Sequence, residues 1–274
     1  MQSPEYLFVY SLADVAGSLM ARVLKEYVSF SRINENYWLT DDGKLGLLAV
    51  NREIIYTDGL EKEHGLKPRT IIFISRHSST KKIKTLSVHV SGNPTSTADL
   101  GGLPRRLAPS HPLLMKSILS NLYTLAQRRG LEKEYQVTLE VTHHGPSEIA
   151  CPSCFVEIGS TIDEWRDKRA ANAVIEAVLD AISHPLQGYP AIGIGGPHYA
   201  PTFTRKVLES EYAIGHIFSK YVLHEVDKDL ICDALSKTMN AKVVLLDWKG
   251  MKGHDRQRIK AYVEEVGDVE VIKV

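Results

Sequence analysis

Residues 241–274 read AKVVLLDWKGMKGHDRQRIKAYVEEVGDVEVIKV. AKVVLLDWKG (241–250) is an apolar run that predicts a strand, HDRQRIKAYVEEVG (254–267) predicts a helix, and VEVIKV (269–274) predicts a final strand. Such a strand–helix–strand unit builds a parallel sheet with helices on its faces, so this stretch sets the fold class. Reading backwards, the pattern repeats. Asp229 to Thr238 predicts a helix, and PAIGIGGPHYAPTFTRKVLES predicts a strand, a Gly-rich loop and a helix. FVEIGS (155–160) predicts a strand followed by a long helix capped by Asp163 and running to about Ser183. In YQVTLEVTH (135–143) Val137, Leu139 and Val141 alternate as on one face of a strand.

The first half continues the theme. HPLLMKSILSNLYTLAQRRG predicts a helix that Pro112 opens and Gly130 closes. KTLSVHVSGNP predicts a strand stopped by the turn at Gly92-Asn93-Pro94, and KPRTIIFISRHSS one from Thr70 to Ser75. YLFVYS (6–11) predicts a buried first strand, AGSLMARVLKEYV the helix packed on it, and KLGLLAVNREIIYT (44–57) two short strands around Asn51. The expectation is an α/β protein with a mixed, largely parallel central sheet flanked by helices. Residues 1–274 are expected to form a single catalytic α/β domain, with room for a small subdomain and a C-terminal β-α-β extension (241–274).

Composition narrows the function. Of 274 residues 43% are hydrophobic and 24% charged, which fits a chain with a real core. Lys plus Arg equals Asp plus Glu at 33 each, against a dedicated DNA binder but compatible with a local basic patch that meets RNA. Three cysteines, Cys151, Cys154 and Cys232, do not make a disulfide scaffold, and neither a secretory leader nor a membrane-spanning run is found. The expectation is a cytoplasmic protein with no membrane partner; the sequence leaves the oligomeric state open and favours a monomer. Cys151-Pro-Ser-Cys154 has the spacing of half a zinc knuckle, but three cysteines cannot build a four-cysteine site, and free thiols are the simpler reading.

The chemistry gathers around histidine. Arg76-His77 follows the strand TIIFIS, His143-His144-Gly-Pro follows VTLEVT, and His198 follows AIGIGG. In a mostly parallel sheet such ends share one edge, where α/β proteins place ligands. His89 lies inside its strand and joins only if it takes the right face. Adjacent histidines on an extended chain face opposite ways, so His143 and His144 need not serve one site. Glu157, a carboxylate on a central strand, needs a partner, and Glu140 precedes the histidine pair. The catalytic candidates are therefore His77, His143, His144, His198 and Glu157. The same five are the candidate metal ligands, because imidazole both ligates metals and moves protons near neutral pH. His89, Gly195, Gly196, Tyr199, Thr202, Arg105 and Arg106 are candidate substrate-binding residues. The glycines could offer backbone N–H groups to an oxyanion. Arg105, Arg106, Lys81, Lys82 and Lys84 could meet phosphates.

Six segments in order, SRHSS (75–79), VHVSGN (88–93), EVTHHGP (140–146), FVEIGS (155–160), GIGGPHYAPTFT (193–204) and AIGHIFSKY (213–221), resemble the archaeal and plant type of D-aminoacyl-tRNA deacylase, distinct from the bacterial D-tyrosyl-tRNA deacylases. The resemblance spans most of the chain. It implies hydrolysis of the ester that joins a D-amino acid to the 3′ end of tRNA, a zinc cofactor, and a core similar to the peptidyl-tRNA hydrolase or phosphorylase-hydrolase type. It implies no agreed ligand set. A peptidyl-tRNA hydrolase or zinc amidohydrolase would share the α/β core and the histidines. A non-catalytic RNA-binding module is disfavoured by histidines clustered at strand ends and by the lack of an aromatic-basic surface motif.

Overall fold

A row of polar residues crosses the middle of the main sheet. Ser75, Glu157, Ser87 and Thr138 are register partners on four successive strands. Side chains directly opposite one another in neighbouring strands share a face, so this row and the residues two positions along belong to one surface of the sheet. That surface carries the histidines.

The computed structural model describes residues 2–274. In chain order the strands are β1 (Tyr6–Ser11), β2 (Ser31–Arg32), β3 (Tyr37–Leu39), β4 (Leu45–Val50), β5 (Thr70–Ser78), β6 (Thr85–His89), β7 (Gly92–Asn93), β8 (Arg106–Leu107), β9 (Gln136–Leu139), β10 (Ser153–Ser160), β11 (Tyr189–Ile194), β12 (Tyr212–Phe218), β13 (Val243–Leu246) and β14 (Glu270–Lys273). The helices are α1 (Val15–Tyr27), α2 (Leu60–His64), α3 (Pro112–Arg129), α4 (Ile162–Trp165), α5 (Lys168–Ser183), α6 (Pro201–Glu209), α7 (Lys228–Lys237) and α8 (Gly253–Val266). They form an eight-stranded sheet in the order β2-β3-β4-β1-β5-β10-β6-β9, a four-stranded sheet β12-β11-β13-β14, and the small ribbon β7-β8.

The fold is α/β with mixed, largely parallel sheets. In the large sheet β4, β1, β5 and β10 run parallel, β6 is antiparallel to β10, and β9 is parallel to β6. All three pairings of the smaller sheet are parallel, including the C-terminal β13-α8-β14 unit. Phe8, Ile72, Phe73 and Phe155 are fully buried in the large core, with Phe73 and Phe155 stacked at 4.5 Å between ring centroids. Each contributes about 1.5–3 kcal/mol through removal of its side chain from water. A second apolar cluster under the smaller sheet gathers Ile192, Phe218, Leu246 and Ile259.

Several boundaries differ from expectation. Pro112 and Gly130 bound α3 as expected, with the Gly130 φ at 71° in the left-handed region. Residues 51–57 hold no second strand. Ile54–Tyr56 form a single 3-10 turn in which only Ile54 is buried, and among the described residues this stretch pairs with no strand. The expected long helix from Asp163 is two helices. A capping box between Thr161 and Glu164 starts α4, and Asp167 accepts from the Arg169 N–H to start α5. β9 stops at Leu139, because the next residues turn to the smaller sheet: Val141 N–H donates to His198 O (3.0 Å) and Thr142 N–H to Ile217 O (2.8 Å). The stretch 212–218, whose apolar pattern carries no clear period, is the strand β12, buried from Ala213 to Phe218. No helix among the described residues is long and apolar enough to cross a membrane.

Candidate active site

The strand ends do not share one edge. Because β6 runs against β10, His77 sits opposite Gly159 while His89 sits opposite Phe155, and the two approach Glu157 from opposite directions. The site therefore lies across a sheet face. Its floor is the Phe73–Phe155 stack, on which His89 lies at 5.1 Å and 12° between ring planes.

His77, Glu157, His89 and Glu140 occupy that face by strand periodicity. Glu140 follows Thr138 by two residues, and its N–H donates to Val88 O. His143 and His144 reach it differently. His144 has φ 50°, so the extended alternation breaks and both imidazoles come to one place, with ring centroids 4.3 Å apart. His198 and Tyr199 descend from the Gly-rich loop after β11. Besides Val141, Thr138 holds that loop through its hydroxyl, which donates to Tyr199 O at 2.5 Å.

Five histidines thus converge. His143 is 4.7 Å from both His89 and His198 between ring centroids, and His198 is 5.8 Å from His77. Glu140, fully buried, joins them: His198 Nε2 donates to its Oε2 at 2.9 Å, and His77 Nδ1 lies 3.3 Å from its Oε1. Glu157 accepts from Ser75 Oγ at 2.6 Å and stands 3.5 Å from both His77 Nδ1 and His89 Nε2. His77 Nε2 meets the Tyr199 hydroxyl at 3.0 Å. Its backbone carbonyl accepts from Trp165 Nε1, and the neighbouring Arg76 N–H donates to Asp14 Oδ2.

The electrostatics divide the cluster. Burial acts to raise Glu157 and Glu140, but hydrogen bonding and the histidine charges overcome it. His77 and His89 hold Glu157 well below its ordinary value, and His198 and His77 lower Glu140. Burial acts to lower His77 and His89, yet the carboxylates, Glu157 foremost, raise both. His143 is depressed by burial and by its histidine neighbours, and His144 is pushed down to about 4 by burial and by His89. The last two are therefore neutral at pH 7. Their Nδ1 atoms face carbonyls of Val141 (2.8 Å) and Gly145 (2.6 Å), so Nδ1 carries the proton and Nε2 the lone pair.

This donor set fits a metal. Ring nitrogens of His89, His143 and His144 lie within 4.8 Å of one another, as do ligand atoms of His77, Glu140 and His198, and of His89, Glu140 and Glu157. His89 Nε2 and Glu140 Oε1 are buried without a hydrogen bond. Buried polar atoms that lack a hydrogen bond, with only a charged neighbour beyond hydrogen-bond geometry, leave room for a ligand.

The other sequence candidates sit elsewhere. The Gly195 N–H donates to Phe218 O at 2.8 Å, which removes it as an oxyanion donor, and Gly196 accepts from the Lys220 N–H. Thr202 lies in the first turn of α6, outside the cleft lining. Arg105 pairs with Asp227 at 2.7 Å, Arg106 with Glu148 at 3.2 Å and Lys84 with Glu164 at 3.1 Å. Cys151 and Cys154 are free thiols, both pushed up to about 12 by burial. Glu140 is the site residue that the sequence pattern did not single out. Its parity with Thr138 was available, but the face on which that parity falls was not.

Above the cluster opens a cleft of about 890 Å³, lined by His77, His143, His144, His198, Tyr199 and Glu157 below, and by Ile55, Tyr56, Leu100 and Tyr221 among others. A polar reaction centre surrounded by mixed apolar and charged groups, Glu53, Arg76 and Lys81 among them, suits a small polar group attached to a larger one.

A sequence model of the family described as D-aminoacyl-tRNA deacylase matches residues 64–272. The D-aminoacyl-tRNA deacylase of Methanosarcina acetivorans is 42% identical over 248 residues, covering 89% of this chain and 80% of that protein. That of Archaeoglobus fulgidus is 37% identical over 275 residues, covering 97% and 95%. The crystal structure of a conserved protein of unknown function superposes with a TM-score of 0.91 at 35% identity, covering 100% of this chain and 96% of that one.

Proposed function

The chain belongs to the D-aminoacyl-tRNA deacylase family, and from that membership we propose how its cleft carries out the reaction. The enzyme hydrolyses the ester of D-aminoacyl-tRNA, releasing free D-amino acid and tRNA, which is chiral proofreading. We assign the chemistry to the histidine–glutamate cluster. The observation that carries this reading is the His198–Glu140–His77–Tyr199 chain of polar contacts at the floor of the cleft.

His198 is the general base. Its Nε2–H is held by Glu140, so Nδ1 keeps the lone pair, and its side chain is 38% exposed. It takes a proton from water as the water oxygen bonds to the ester carbonyl carbon, and Glu140 stabilises the resulting imidazolium. His77, raised toward its cationic form, donates from Nε2 to the Tyr199 oxygen. That frees the Tyr199 hydroxyl hydrogen to meet the developing oxyanion. When the C–O bond to the ribose breaks, the proton on His198 passes to the departing oxygen, and the balance is one ester and one water to one acid and one alcohol.

We propose zinc as the cofactor, held by His89, His143 and His144: the last two are neutral, His89 faces Glu157, and all three turn Nδ1 toward a backbone carbonyl, which suits a three-imidazole set. When bound it would supply Lewis acidity that makes water more acidic. On this reading His89 changes from a substrate-binding residue to a ligand, and His77, His198 and Glu157, expected as ligands, would serve the proton transfers and their support instead. The whole chain acts as one catalytic unit on this reading, since both sheets supply site residues, and it works where charged tRNA is found, in the cytoplasm.

The test is single-turnover deacylation of D-aminoacyl-, L-aminoacyl- and N-blocked aminoacyl-tRNA. Alanine at His143, His144 or His198 should lower the D-specific rate by roughly 100-fold with the fold intact. Wild-type rates from all three variants would remove the assignment. Preference for the N-blocked substrate would make the chain a peptidyl-tRNA hydrolase instead.

A further inference from the structure

Two exposed tyrosines stand at the rim of the cleft, and each is tied by backbone to a different histidine-bearing segment. Tyr56 is 53% exposed and Tyr221 61% exposed, and both line the cleft. Neither hydroxyl has a hydrogen-bond partner among the described residues, so neither ring is held by its polar tip. The chain around Tyr56 abuts the loop that follows His144. The Gly145 N–H donates to Leu100 O, and a Cβ at Gly145 would collide with the Ile55 carbonyl and with Gly101. A Cβ at Gly101, at φ 79°, would collide with the same carbonyl. Tyr221 follows Lys220, whose N–H donates to Gly196 O in the loop that carries His198.

These ties fix the backbone that carries both rings relative to the hydrolytic cluster, although the chemistry described above uses neither ring. The scissile ester joins the amino acid to a nucleoside, so a base must lie within one nucleoside's reach of the floor. An exposed aromatic face attracts any base by stacking. Cations accompany the rim. Lys220 Nζ is 5.3 Å from the Tyr221 ring centroid and Lys81 lines the cleft, and neither forms an ion pair among the described residues.

We propose that Tyr56 and Tyr221 form the subsite for the terminal adenosine of the tRNA, with the base against the aromatic rings and Lys220 and Lys81 facing the phosphates. This rests on the deacylase reading, since it takes the substrate to be an ester of the terminal adenosine. The two tyrosines are positioning residues: they hold the leaving nucleoside and take no part in proton transfer.

The experiment compares Tyr56→Ala, Tyr221→Ala, Tyr56→Phe and Tyr221→Phe with wild type on two D-tyrosyl esters, that of adenosine and the methyl ester. AMP binding is measured alongside by calorimetry. Each alanine variant should raise KM for the adenosine ester roughly tenfold, with kcat nearly unchanged, and should weaken AMP binding similarly. The methyl ester should be hydrolysed as by wild type, and the phenylalanine variants should match wild type throughout. KM values that rise equally for both esters would assign the rings to the amino-acid side chain and overturn the proposal, as would AMP binding indifferent to both rings. A wild-type chain that binds AMP through these rings yet deacylates nothing would keep the nucleotide subsite and sink the hydrolase reading.

Discussion

Gly159 and His77 are direct partners on the parallel strands β10 and β5, and a Cβ at 159 would stand 2.8 Å from Cδ2 and 2.9 Å from Cβ of His77. The third contact would be Thr85 Oγ1 at 2.7 Å. The missing side chain is thus the space that the His77 imidazole occupies, on the same face as Glu157. Gly159→Ala should push His77 away from Glu140 and Tyr199. The expected outcome is a loss of turnover of tenfold or more, with a stability loss of about 1–3 kcal/mol from overpacking. Single-turnover deacylation and urea denaturation measure the two. An alanine variant with wild-type turnover would show that the position of His77 does not matter.

Glu140 is fully buried and touches His198 and His77. Glu140→Gln keeps its shape and removes the charge that stabilises an imidazolium. Turnover should fall by roughly 100-fold, and the fold should survive because the amide still accepts from His198. Full activity in a folded Glu140→Gln chain would exclude His198 as a Glu140-supported base.

Removal of metal by a chelator should lower both turnover and the unfolding midpoint, and zinc should restore both. A ligand that binds only the folded state at a hundred times its dissociation constant adds about 2.7 kcal/mol to stability. Identical melting curves and rates before and after chelation, with metal content measured as zero, would rule out a zinc role. Alanine at His143 should abolish the zinc-dependent rise in midpoint.

His216 provides a pH dependence separate from catalysis. It is fully buried, its Nδ1 lies 3.0 Å from Thr142 Oγ1, and its Nε2 lies 2.9 Å from Ala108 O. Burial pushes it down to about 3 from an ordinary value of 6.5. The unfolded chain therefore binds this proton first on acidification. The stability contribution is complete above about pH 6.5 and is lost as pH falls from there toward 3. His216→Gln should flatten the pH dependence between 6 and 4 (approximate test limits) by up to about 1.4 kcal/mol per pH unit. Denaturation curves at several pH values check this, and parallel wild-type and variant profiles would contradict it.

Affinity for tRNA should fall with salt despite zero net charge. Among the cations near residue 80, Lys84 is engaged by Glu164, whereas Lys81 and Lys82 form no ion pair among the described residues. Replacing both by alanine should reduce the slope of log affinity against log salt by about 1.4 to 1.8. An unchanged slope would place the phosphate contacts elsewhere.

The periodic elements were legible because their signals are local. The β13-α8-β14 unit, the Pro112 and Gly130 boundaries of α3, and the apolar runs of β1, β5 and β10 each follow from spacing and from φ preferences within a few residues. The same holds for the histidine segments, since strand ends followed by turns can be read along the chain. The break after Trp165 is marked by local caps, Thr161–Glu164 and Asp167, that the apolar periodicity runs across; the seat of the Trp165 indole, which donates to a carbonyl 88 residues away, was not legible. Nor was the 3-10 turn at Ile54–Tyr56, whose neighbours are Gly101 and Gly145.

By itself the sequence determined that the chain folds as α/β and which histidines could meet, because apolar periodicity and turn chemistry act over short range. Only the tertiary structure decided how they meet. Strand direction is a pairing choice between distant segments, and the antiparallel β6 sends His89 toward Glu157 from the side opposite to His77. It also places Glu140 on the same face and exposes the site across the sheet instead of along its edge. The left-handed turn at His144 undoes the alternation that would have parted it from His143, and the hydrogen bonds from Val141 and Thr138 bring His198 and Tyr199 across from the other sheet. These contacts join residues tens of positions apart, and no local preference encodes them.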